Sequence, residues 1–67
     1  MINIWDYYGA GKVSLKTKQG EQFIGSVLTV WTAEENETDE PVIDIELRTG
    51  EIWGFMPSEI ESISEIK

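Results

Sequence analysis

Two pairs of carboxylates stand two residues apart in this chain, Asp44 with Glu46 and Glu59 with Glu61, a spacing that a β-strand turns onto one face. Such a pair can work as general acid and general base when a pocket or close like charge separates the two proton affinities and a substrate site lies beside them. The sequence supplies no such setting. It contains no histidine and no cysteine, which removes imidazole bases, thiol nucleophiles, Cys/His zinc sites and disulfide frameworks. The expectation is a protein that is not an enzyme, with no catalytic residue, no metal and no cofactor.

The densest collection of charged groups is Glu34, Glu35, Glu37, Asp39 and Glu40 in the segment Thr32 to Pro41, TAEENETDEP, where no base interrupts the acids. The Asp-x-Asp-x-Asp-Gly spacing that wraps oxygens around calcium is absent. Two readings stand side by side: a solvated loop held open by like-charge repulsion, and a phosphate-like patch that docks on a basic partner. Asp44 and Glu46 would extend the patch along the next strand. The whole chain is biased the same way, with 13 acids against 5 bases and a net charge of −8. That charge keeps a small protein soluble, repels nucleic-acid backbones and attracts basic proteins.

Three aromatic residues near the start, Trp5, Tyr7 and Tyr8, offer either a stacking platform for bases or a partner protein, or the cover for one end of a small fold. Lys12, Lys16 and Lys18 form the only basic stripe. They are the RNA contact in an alternative reading, and otherwise a solvated face or a strand edge guarded by lysines. Met1-Ile-Asn-Ile-Trp-Asp lacks the basic start and apolar core of a signal peptide, and no apolar run approaches the ~20 residues of a membrane span. The glycosylation pattern at Asn36-Glu-Thr38 therefore carries little weight, and a cytoplasmic location without membrane contact is expected.

The elements that must position these groups are short strands. Sixty-seven residues, 40% of them hydrophobic with three tryptophans, make a single domain near the lower size limit for a chain without metals or disulfides, so self-association is an open possibility. Residues 1–11 form an arm or helical turn, and 12–66 form the body. From Lys12 the chain alternates, with Val13, Leu15 and Thr17 on one side, and Lys18 to Glu21 make a tight turn. Gln22 to Trp31 is apolar on both faces: Phe23, Val27 and Trp31 on one, Ile24, Leu28 and Val30 on the other. Val42 to Arg48 alternates again, with Ile43, Ile45 and Leu47 inward, and Thr49-Gly50 supplies a hairpin turn. Glu51 to Met56 returns until Pro57 removes a ladder donor. Ser58 is placed to cap one helical turn, and Ile60, Ile63 and Ile66, spaced by threes, fit a closing strand better than a C-terminal helix. Trp31 and Trp53 are expected in the core.

Five short strands with glycine-containing turns give an all-β fold, a strongly bent antiparallel small barrel. Gly25, in the middle of GEQFIGSVLTVW, fits that fold because a strand that curves around the core needs a residue permitting a bend or a close backbone approach.

Val13 to Trp31, VSLKTKQGEQFIGSVLTVW, resembles the first motif of the Sm-like (LSm) family, a strand, a tight turn and a bent second strand with an apolar–x–Gly–x–apolar core. Ile52 to Ile63, IWGFMPSEIESI, is similar to that family's ending, and the resemblance covers roughly residues 12–66. Other small barrels of the SH3 type share much of the pattern. The resemblance implies rings of six or seven subunits joined through the fourth and fifth strands, binding uridine-rich or adenine-rich RNA through an Asp/Asn-bearing loop and an Arg-Gly pair. At those places this chain has Thr32, an Asn36 set among glutamates, and Met56-Pro57.

Single acidic Sm-like barrels of bacteria are the nearer likeness in size and charge. The resulting expectation is an interaction or regulatory module that binds a protein partner, a basic or nucleic-acid-binding one, through Glu34, Glu35, Glu37, Asp39, Glu40, Asp44 and Glu46. The alternatives are a ring-forming RNA binder and an accessory structural subunit.

Overall fold

The computed structural model describes residues 2–66. Five strands follow one another, β1 (Lys12–Thr17), β2 (Gln22–Trp31), β3 (Val42–Leu47), β4 (Ile52–Phe55) and β5 (Ile60–Glu65), with single 3₁₀ turns at Ile4–Tyr7 and Pro57–Glu59. All pairings are antiparallel and the order is β4-β3-β2-β1-β5. The fold is all-β, as the alternation implies. The sheet is not closed: β4 and β5 lie at opposite edges and do not pair, where a complete barrel was expected.

Alternation works where one face is buried. Val13, Leu15 and Thr17 of β1 and Ile43 and Ile45 of β3 all point into a core that also holds Ile4, Val30, Phe55 and Ile60. The curvature that wraps one sheet around this core is made at two bulges, each adding one residue to one strand and raising the local twist. In β2 the extra residue is Leu28, since Val27 faces Ile45 but Thr29 already faces Asp44. In β5 it is Glu61, between Ser62 opposite Lys16 and Ile60 opposite Thr17.

These bulges reset the side-chain phase, because a shift of one residue sends every later side chain to the other face. Val27 and Val30, three apart, therefore share the inner face, and so do Ile60 and Ile63. The isoleucine spacing by threes thus belongs to a bulged strand. The same reset turns Trp31 outward. It is 39% exposed, a correction to its expected core position, and its indole nitrogen donates to Asp44 Oδ2 at 2.8 Å.

Gly25 has the second of the two roles expected of it. A Cβ there would fall against the main-chain carbonyl oxygen of Glu46 and 2.5 Å from Ile45 Cγ2, so the missing side chain is what lets β3 approach β2. At Gly50 the reason is different: its φ of +92° is left-handed backbone, which closes the β3–β4 hairpin with Leu47 N–H donating to the Glu51 carbonyl at 2.8 Å. The β1–β2 turn repeats this bond from Thr17 N–H to the Glu21 carbonyl at 2.8 Å.

The N-terminal segment is a helical turn and not an extended arm. It plugs one end of the core with Ile4, and Tyr7 Oη donates to the Ile63 carbonyl at 3.0 Å. The turn before β5 begins at a buried Pro57, and Met56, not Ser58, holds the cap position. Glu59 reaches back to accept the Met56 N–H at 2.9 Å.

Candidate partner-binding surface

The acidic segment folds back on itself instead of hanging loose. Thr32 and Glu35 bond reciprocally: Glu35 N–H donates to Thr32 Oγ1 at 3.1 Å, and Glu35 Oε1 accepts from the Thr32 N–H at 3.2 Å and hydroxyl at 2.9 Å. This is the box that opens a helical turn. The turn closes with Glu37 N–H on the Glu34 carbonyl and Thr38 N–H on the Ala33 carbonyl, and Glu37 sits in left-handed backbone at φ +53°. That pattern is a Schellman closure with a glutamate where glycine is preferred. Glu40 then anchors the segment to the turn that follows β4, accepting the Ser58 N–H at 3.0 Å on Oε1 and the Ser58 hydroxyl on Oε2.

The acids therefore divide by role. Glu35 and Glu40 hold the turn together. Glu34, Glu37 and Asp39 are exposed, and among the described residues their carboxylates take part in no ion pair or side-chain hydrogen bond. A hydrogen-bonded turn presents three free carboxylates. Replacing Glu37 by glycine is expected to raise stability by about 0.5–1 kcal/mol, since the left-handed position then costs little. The urea midpoint measures it; a lower midpoint would mean that the position is not strained.

Asp44 and Glu46 do share the outer face of β3. Asp44 is half-buried beneath the Trp31 indole and opposite Gly54, and Glu46 is exposed between Ser26 and Ile52. The second spaced pair does not form a strand face, because Glu59 precedes β5 and Glu61 is its bulged residue. Glu61 pairs with Lys16 at 3.4 Å on the surface. Among the described residues no three carboxylates converge as a metal site, and no helix is long and apolar enough to cross a membrane.

The aromatic group separates as well. Tyr7 is packed and bonded, whereas Trp5 and Tyr8 are exposed with ring centroids 6.4 Å apart and planes tilted by 37°. Of the lysines, Lys12 and Lys16 lie on the outer face of β1. Lys18 falls beyond the strand in the β1–β2 turn, where its N–H donates to the Glu59 carbonyl. The three do not line one strand face.

A fourth feature, which no motif in the sequence announces, is an aromatic groove beside β4. Trp53, expected in the core, is 43% exposed and packs with Phe23 and Phe55, the Phe23 centroid lying 5.3 Å from Trp53 and 5.2 Å from Phe55. The alternation Trp53-Gly-Phe55 marks the shared face. Nothing in the sequence marks β4 as an edge.

No protein-family model, curated protein or solved structure matches this chain.

Proposed function

We propose that this chain is a non-enzymatic interaction module, an Sm-like small barrel in design, that binds a basic or nucleic-acid-binding protein through its acidic turn and the adjoining face of β3. The observation that carries this reading is the ordered turn at 32–40. Glu35 and Glu40 fix its shape internally, leaving Glu34, Glu37 and Asp39 free for a partner. Preorganised carboxylates bind cations without first being ordered, so little entropy is lost on association. Glu46, exposed on the outer face of β3, adds to the same sign of field.

The Sm-like reading draws support from one continuous antiparallel sheet, open between β4 and β5, that is bent at two bulges around a single core. The RNA-binding alternative gains nothing comparable, since Lys16 is engaged by Glu61 and Lys18 is off the strand.

The test is affinity capture from a lysate with the wild-type chain and with the triple variant Glu34→Gln, Glu37→Gln, Asp39→Asn. The wild type is expected to retain basic proteins at low salt, with retention falling as salt rises. The triple variant should retain them at least tenfold less well, chiefly through slower association. Identical capture by both chains, or capture insensitive to salt, would refute the acidic turn as the binding surface.

A further inference from the structure

The two edges of this sheet are not alike. β5 is blunted in the ways that keep an edge from pairing: a bulge at Glu61, charged Glu61 and Glu65, and a Lys16–Glu61 ion pair alongside. β4 is protected only by being short, four residues. Within its span it has no lysine, proline or bulge, and it displays Ile52, 59% exposed, beside Trp53.

The backbone of β4 is also presented in a definite register. Because Leu47 N–H donates to the Glu51 carbonyl, alternation along an antiparallel ladder makes Ile45–Trp53 and Ile43–Phe55 the hydrogen-bonded pairs. The N–H and C=O groups of Ile52 and Gly54 then face outward. Next to them runs a groove of about 450 Å³ between β4, the β1–β2 turn and the Pro57–Glu59 turn. Phe23, Trp53 and Phe55 form its aromatic wall, and Glu21 and Glu59 stand at its rim with Lys18.

We propose that β4 accepts an extended, arginine-bearing segment of the partner protein as an added strand. The main chain of that segment pairs with Ile52 and Gly54. One arginine enters the groove, its aliphatic stem and guanidinium lying on Trp53 and its nitrogens reaching the carboxylates of Glu21 and Glu59. A second copy of this chain is the poorer occupant, because neither of its free edges, β4 (Ile52–Phe55) or β5 with Glu61 and Glu65, carries a basic residue for the groove. The inference rests on the protein-binding reading above and adds the place and chemical class of what is bound.

The probe is an acetylated, amidated hexapeptide, Thr-Arg-Val-Arg-Val-Arg, titrated into the ¹⁵N-labelled chain. Saturable binding is expected, with the largest shifts at the Ile52 and Gly54 amides and the Trp53 indole, and with slowed hydrogen exchange at those two amides. Methylating alternate backbone nitrogens of the peptide, which keeps its charge, should weaken binding at least tenfold in one of the two registers. Ile52→Lys, at an exposed side chain, should do the same while the spectrum stays folded.

Three outcomes would overturn the proposal. If shifts fall on residues 34–46 and methylation has no effect, strand addition fails while the acidic-surface reading stands. If the Ile52 and Gly54 amides are already protected in the free chain and light scattering shows an oligomer, a second copy owns the edge. If millimolar peptide shifts nothing, strand addition fails, and the triple-variant capture decides the acidic-surface reading separately.

Discussion

Gly25→Ala is expected to leave this chain largely unfolded at 25 °C. The added methyl would meet the Glu46 carbonyl oxygen and lie 2.5 Å from Ile45 Cγ2, so β2 and β3 would have to part. Inserting a methyl into a packed site costs about 1–3 kcal/mol and occasionally more. Here the obstacle includes main chain, which cannot rotate away as a side chain does. A core of this size supplies about 3–5 kcal/mol in all, so the loss is comparable to the whole. Gly54→Ala is the control. Its Cβ would stand 3.0 Å from Asp44 Oδ1 and from Val42 Cγ1, side-chain atoms that need give only a few tenths of an ångström, and the expected cost is at the low end of that range, about 1 kcal/mol. Far-UV circular dichroism and urea titration read both. A Gly25→Ala chain with the wild-type midpoint would show that the close approach of β2 and β3 is not needed.

How far the sequence reveals this molecule follows from where its strands have one buried face. β1 and β3 are legible residue by residue because Val13, Leu15, Ile43 and Ile45 alternate against solvated neighbours. Gly25 is legible as an anomaly, since a glycine inside a strand needs a reason. A bulge carries no compositional mark of its own. Leu28 looks like any apolar strand residue, so the phase reversal that exposes Trp31 does not show in the pattern.

The acidic segment illustrates both sides. Thr32-x-x-Glu35 is the sequence spacing of a helix-opening box, and it was available as a sign of order that a plain count of acids obscures. The bond from Glu40 to Ser58 was not, because it joins positions 18 apart that only the folded sheet brings together. Trp53 fails for the same kind of reason: its exposure depends on β4 being the last strand of an open sheet. The free carboxylates of the candidate surface were thus nameable in advance, while the division of labour among them was not.

Ile45→Ala is the second large effect to expect, and it sharpens the first. Ile45 is fully buried in β3, opposite Val27 on one side and Trp53 on the other. Truncating it removes the packing of three methyl or methylene groups and leaves a void in the middle of the sheet, at a cost of about 2–5 kcal/mol. Alone it should take most of the molecules out of the folded state at 25 °C. Combined with Gly25→Ala, the two costs should not add in full, because the deleted Ile45 Cγ2 is one of the two atoms the new methyl would strike. Yet the double variant should remain unfolded, since the Glu46 carbonyl stays where it is. Adding a stabilising osmolyte such as TMAO brings all three variants into a measurable range. If the double variant then loses far less stability than the two single variants summed, the Ile45 side chain is the real obstacle at Gly25; if the two losses add in full, the limit on β2 is set by the backbone of β3.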